Sequence, residues 1–317
     1  MPRLGEHNQG EKPALCALSF RKVRTIMRIS SEIASIAPYV GGEANAVRML
    51  AAAGFDCYDL SLFSMGRMDY ATGKVRHVGH PLEGQEGLAF VRELRRVADE
   101  AGIVCNQSHA PYPVDCREIR EMLPRAIEYT AEAGGKICII HPNNYASAEA
   151  NAAMYRELLP IAKSFGVKIA AENMWLWDKK LDHAIFAACS NHADFVTHIN
   201  AVNSPDLVAC LDIGHAEMRG LGTSAPDMIR ALGSRLQAIH LHDNDRWHDS
   251  HELPFTMQID FGEVAAALRT AGYAGEITLE ADAYFRNHRD LPGETLIANM
   301  AAAARRFAAM VEAPGKA

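Results

Sequence analysis

Six residues able to bind a cation or move a proton recur along the chain in similar steps. His109, His141, Glu172, Asp212, His240 and Glu280 are separated by 32, 31, 40, 28 and 40 positions. Each closes or directly follows a short apolar run, as in Ile277-Thr278-Leu279-Glu280. If those runs are strands, period-2 alternation turns Leu279 one way and Glu280 the other, toward an interior. Carboxylates and imidazoles that meet inside a protein need a compensating charge, because burying an unpaired ion is costly. A divalent cation supplies it. Glu172, Asp212, His240 and Glu280 offer one nitrogen and three oxygen donors, a mixture suited to Mn²⁺, Co²⁺, Mg²⁺ or Zn²⁺ rather than copper or iron–sulfur. His215, one turn beyond Asp212, and the pair Asp249 and His251 extend the set as further metal ligands or substrate contacts. His109 and His141 are candidates for the same roles. For any one of these residues alone, a structural hydrogen bond or a helix cap is the simpler explanation; six in phase favour a site.

The elements that must position these residues follow a rhythm. Short β-type runs at Met27–Ser30, Cys57–Leu60, Ile103–His109, Ile137–His141, Lys168–Glu172, Leu207–Asp212, Ala238–His242 and Glu276–Glu280 alternate with amphipathic stretches. The helical stretches are Ala44–Ala53, Glu86–Ala101, Glu118–Ala133, Ala148–Phe165, Ala225–Leu232, Gly262–Ala271 and Thr295–Val311. Several end in Ala-Gly or Phe-Gly, the expected left-handed stop. Residues 181–206 carry the weakest helical pattern and are read as helical. Eight β-then-α units of roughly 36 residues predict an α/β fold, a single (β/α)8 TIM barrel over 27–312. Residues 1–26 read as a poorly structured extension and 313–317 as a tail. An open doubly wound sheet is the rival. The chain has neither the G-x-G-x-x-G nor the P-loop turn that such a sheet would carry, so no nucleotide cofactor is expected.

Composition agrees. The 317 residues are 49% hydrophobic and 22% charged with a net charge of −7, which excludes a disordered chain and disfavours nucleic acid as a partner. No apolar run reaches membrane-spanning length, and Ala14–Leu18 is too short for a signal peptide. Seven cysteines without a C-x-x-C predict buried free thiols in a reducing cytoplasm. Arg67, Lys74, Arg76, His77 and His80 read as a solvated loop. Exposed barrel helices leave homo-oligomerisation as an expectation.

The motifs Ser108-His109-Ala110-Pro111-Tyr112, Ile140-His141-Pro142, Ala171-Glu172-Asn173, Cys210-Leu211-Asp212-Ile213-Gly214-His215-Ala216, His240-Leu241-His242-Asp243-Asn244-Asp245 and Leu279-Glu280 together resemble the xylose isomerase-like superfamily of TIM barrels. That group includes sugar phosphate isomerases/epimerases, ketose 3-epimerases, dehydratases and endonuclease IV. By resemblance to the epimerases, one metal sits on Glu172, Asp212, His240 and Glu280, with the two glutamates doubling as the acid/base pair. His215 and Arg246 are then substrate contacts. By resemblance to endonuclease IV, three zinc ions would lie on His109/His141/Glu172, on Glu172/Asp212/His240/Glu280 and on His215/Asp249/His251. The loop His251-Glu252-Leu253-Pro254 departs from the D-x-H-L-P pattern of sugar isomerase-type members by its inserted Glu252.

The resemblance implies a metal-dependent sugar or sugar phosphate isomerase/epimerase, with a small carbohydrate as substrate. Reaction would pass through a metal-stabilised enediolate, one glutamate removing a proton and the other returning one. A trinuclear zinc phosphodiesterase or a dehydratase on the same scaffold are the alternatives. Trp175 and Trp177, just past Glu172, are either an apolar wall against a sugar face or a packing pair.

Overall fold

The computed structural model describes residues 26–314; the extension expected over 1–26 lies outside them save for Ile26, and the tail expected over 313–317 save for 313 and 314. Eight parallel strands form the expected barrel. They are β1 Ile29–Ser31, β2 Cys57–Ser61, β3 Val104–His109, β4 Ile137–Ile139, β5 Lys168–Glu172, β6 Leu207–Asp212, β7 Leu236–Leu241 and β8 Ile277–Leu279. Each strand pairs with its successor in sequence except at the seam. There β8 pairs with β1, and β1 meets β2 through one isolated bridge, Glu32 to Asp59.

The principal outer helices are α1 Glu43–Ala52, α2 Gly87–Ala101, α3 Arg117–Ala133, α4 Ala148–Phe165, α5 His192–Val202, α6 Ala225–Leu232, α7 Phe261–Ala271 and α8 Gly293–Glu312. Their boundaries follow local chemistry. Ser147, Asn191, Ser224 and Asp260 cap α4, α5, α6 and α7 by accepting backbone N–H bonds. Gly166 ends α4 at φ +67° and turns the chain into β5, the strand that delivers Glu172. Helix α8 buries Leu296, Met300, Ala304, Phe307 and Val311 on one face, the 3.6-residue stripe that packs it on the barrel.

Residues 181–206 are not one helix. Leu176–Asp178 and His183–Ile185 form an antiparallel hairpin, and only 192–202 are helical. Residues 186–190 carry no helical or strand structure, and the strong start signal is the Asn191 cap, whose side chain receives the Ala193 and Asp194 N–H groups. A second hairpin, Arg67–Asp69 with Lys74–Arg76, occupies the basic loop after β2.

The barrel interior has two halves. Ile139, Ala170, Val208, Cys210 and Ala238 form an apolar cluster inside β4–β7. Across from it, Ser30, Asn106, Gln107 and Thr278 are buried polar groups joined by hydrogen bonds. Six cysteines, 57, 105, 116, 138, 189 and 210, are free and buried; Cys16 lies outside the described residues. No helix among the described residues is long and apolar enough to cross a membrane.

Phe307 is fully buried and meets Phe261 edge-on at 5.7 Å. Phe307→Ala is expected to cost about 3–5 kcal/mol, read as a lowered urea midpoint with an unchanged slope.

Candidate metal centre

The strand ends deliver the ionisable residues to one rim, as alternation requires. Glu172 and Asp212 are the last residues of β5 and β6, and His109 is the last of β3. His141 and Glu280 stand just past β4 and β8. His109, His141, Glu172 and Glu280 form the wall and floor of a cavity of about 590 Å³ that also carries Trp175, His215, Asp249 and His251. Asp212 and His240 lie beneath that floor, fully buried.

Among the described residues, five partly overlapping groups of donor atoms share this rim, and three of them together contain every member but Cys210. In the first, His109 Nε2 and His141 Nε2 stand 3.1 and 3.0 Å from Glu172 Oε2 and 2.9 Å from each other. Two imidazole nitrogens this close cannot both donate to each other, and both face the same oxygen. In the second, His240 Nδ1 lies 2.6 Å from Glu172 Oε1 and 3.1 Å from Glu280 Oε2. Asp212 completes that group, whose donor atoms all lie within 4.8 Å of one another. In the third, Asp249 Oδ2 lies 3.2 Å from His215 Nε2 and 3.1 Å from His251 Nε2. His242 Nε2 joins from 3.0 Å to Asp212 Oδ1 and 3.6 Å to Asp249 Oδ1.

Local folding aims each group. Asp212 caps the short helix Ile213–Glu217, accepting the His215 N–H at 2.7 Å, so its Oδ1 is fixed. His215 Nδ1 is hydrogen-bonded to the Asn173 carbonyl and His251 Nδ1 to the Glu280 carbonyl, each at 2.8 Å. Those bonds hold a proton on Nδ1, so Nε2 is the atom each ring can offer a cation once its own proton is given up. Gly214 leaves room for His242: a Cβ there would stand 1.9 Å from the His242 ring.

Electrostatics match the crowding. Burial pushes the Glu172 carboxyl up, but His240 and the hydrogen bonds from His109 and His141 hold it well below the usual range. Burial likewise opposes ionisation of Glu280, yet His240 takes it down to about 2. Desolvation lowers His215, and Asp212 and Asp249 reverse this and raise it to about 10. His141 is the exception, lowered by burial. Asp212 Oδ2 and Asp249 Oδ1 are buried acceptors with no hydrogen-bond partner. Ionised carboxylates with orphaned oxygens beside nitrogens freed by their own second bonds are the donor chemistry a divalent cation fits.

A comparison with known families decides the assignment: the xylose isomerase-like TIM barrel family matches residues 47–306. The chain belongs to that family. A relative from Methanocaldococcus jannaschii, the uncharacterised protein MJ1311, is 27% identical over 169 residues, 50% of this chain and 55% of its own length. The chain spans about half the length of the curated relatives it matches. Among solved structures, D-psicose 3-epimerase from Clostridium cellulolyticum is 16% identical with a TM-score of 0.65, covering 90% of this chain and all of that one. The 3-keto-D-glucoside 4-epimerase of E. coli is 14% identical with a TM-score of 0.61, covering 87% of this chain and 98% of its own. At these identities the likeness is one of fold.

Other positions fall differently. Trp175 lines the cavity, whereas Trp177 and Arg246 are not on its wall among the described residues. Arg246 pairs with Glu217 at 2.9 Å, and Trp177 stacks on His248. Four buried polar residues escaped the sequence reading. His242 is in phase with His240, and strand alternation alone places both on one face. Asp59 and Gln107 are interior-facing polar residues of β2 and β3, and Glu32 follows β1.

Two measurements follow for metal-free protein. The folded pKa of His215 lies above its unfolded value of 6.5, so its contribution is complete below that pH and is lost as pH rises through about 10. Glu280 has the opposite sign: its contribution is present above about pH 4.5 and is lost as pH falls toward 2. Thermal midpoints are expected to fall from pH 7 to 10, with a shallower fall in His215→Gln. Gly214→Ala is expected to displace His242, seen as loss of its imidazole from its present NMR environment.

Proposed function

We propose that the protein is a divalent-metal-dependent isomerase or epimerase acting on a small carbohydrate. The observation that carries this reading is the convergence of Glu172, Asp212, His240 and Glu280, the two glutamates lining a cavity large enough for a sugar and Asp212 and His240 buried behind them. Two of the four are glutamates from strands three apart, both held ionised. The epimerases of similar fold support it as well.

Glu172, Asp212, His240 and Glu280 would hold the cation. When bound, it supplies electrostatic stabilisation for negative charge developing on substrate oxygens. The chain's own residues do the proton work. One glutamate, as the carboxylate, takes the proton from a carbon beside the sugar carbonyl; the other, which first takes up a proton from solvent, gives it to the opposite face. Walls of His109, Tyr112 and Trp175 restrict water, and His215 is available to a substrate oxygen. Cytoplasmic location and pairing of copies through barrel helices belong to the same reading.

A second reading is favoured by the other two clusters. His109/His141/Glu172 and His215/His242/Asp249/His251 would give a multinuclear zinc site suited to a phosphodiesterase.

The test is a metal count on protein purified without chelator, followed by solvent exchange. One ion per chain and deuterium incorporation into D-tagatose or D-fructose are expected, with exchange reduced about 10²–10⁴-fold in Glu172→Gln and Glu280→Gln. Three zinc ions and cleavage of an abasic duplex would establish the second reading. Loss of water from the sugar would make the enzyme a dehydratase.

A further inference from the structure

Beneath the metal centre the barrel holds a charge that no proton-transfer step above uses. Asp59 is fully buried in β2, its Oδ1 has no hydrogen-bond partner, and its backbone makes the bridge to Glu32 that closes the barrel. Oδ2 accepts the Gln107 side-chain amide at 2.8 Å and lies 3.7 Å from His240 Nε2. Gln107 is oriented by its neighbours. Its Oε1 accepts from Asn106 Nδ2 at 3.3 Å, and Asn106 is fixed by Ser30 at 2.7 Å and Thr278 at 3.1 Å. The Gln107 amino group must therefore face Asp59 and, at 3.1 Å, His240 Nε2.

That arrangement favours one tautomer of the neutral ring. With Gln107 donating to Nε2, the ring proton is on Nδ1, directed at Glu172 Oε1 at 2.6 Å. An Nδ1 that ligates a cation has no proton, so in the loaded protein the proton sits on Nε2. An amino group cannot accept it. Asp59 Oδ2, which accepts from Gln107 and stands 3.7 Å from Nε2, can accept it on a closer approach of the ring.

We propose that Asp59 is the positioning residue of the metal centre: paired with Gln107 beneath the barrel floor, it receives the His240 Nε2–H and holds Nδ1 toward the cation. This rests on the reading of His240 as a ligand. It assigns the buried charge a purpose that packing alone does not, since an asparagine of the same shape would fill the space.

The test is metal affinity. Zn²⁺ and Mn²⁺ dissociation constants are measured by chelator competition on the full chain, beside the thermal midpoint of the metal-free protein. Asp59→Asn is expected to weaken binding about 10–100-fold without lowering the metal-free midpoint. Asp59→Asn combined with Gln107→Glu returns a carboxylate to His240 Nε2 and is expected to recover affinity, which a packing role would not produce. A second measurement needs no variant: ¹⁵N-histidine NMR of the zinc-loaded wild type should show His240 protonated on Nε2. Unchanged affinity in folded Asp59→Asn, or an Nδ1-protonated His240 in loaded protein, overturns the proposal. A wild type that binds neither metal overturns the metal reading itself.

Discussion

More acceptor oxygens and imidazole nitrogens meet at one end of this barrel than protons alone can pair. Glu172 faces three imidazoles, and Asp249 faces three more. Low dielectric makes every mismatch expensive. Stacking of His242 on His251 at 3.9 Å keeps two such rings in close contact. The strand ends, the caps and the bonds to backbone carbonyls hold these groups in place against their mutual repulsion.

Rigidity is concentrated accordingly. Asn173 accepts the Asp212 N–H through its side chain and donates to the Asp212 carbonyl, tying β5 to β6 beside two candidate ligands. His215 and His251 each spend one nitrogen on a carbonyl and keep the other for the site. A side chain with one end committed to the backbone loses little freedom when its other end binds.

Much of this was legible in the sequence because strands carry a strong local signal. A residue such as Glu280, following three strand residues and preceding a turn, has its direction fixed by alternation. The register of six such positions then indicates a barrel rim. Less legible were groups whose role depends on partners far away in sequence. Asp59 acquires its surroundings from Gln107 and His240, and nothing near it in the chain marks it. His242 was readable from its phase with His240, but a histidine-rich stretch masked it. Arg246 has the expected charge, yet Glu217 on the short helix after β6 takes its guanidinium. The hairpin after β5 resembled a helix because its short strands and tight turn left no room for alternation to declare itself.

The seam between β1 and β2 has a mechanical meaning. Neighbouring strands elsewhere share at least two register pairs, while these two are joined by the Glu32–Asp59 bridge and by Ile29, whose carbonyl accepts the Asp56 N–H at 3.0 Å and whose own N–H donates to Asp56 Oδ2 at 2.8 Å. The closed hoop is held there by fewer ladder pairs than at its other joints, like a belt at its clasp. Both residues of the clasp are buried acids: the backbone of each closes the hoop while its side chain reaches other groups of the interior, Glu32 those of Ser35 and Ser61, Asp59 that of Gln107.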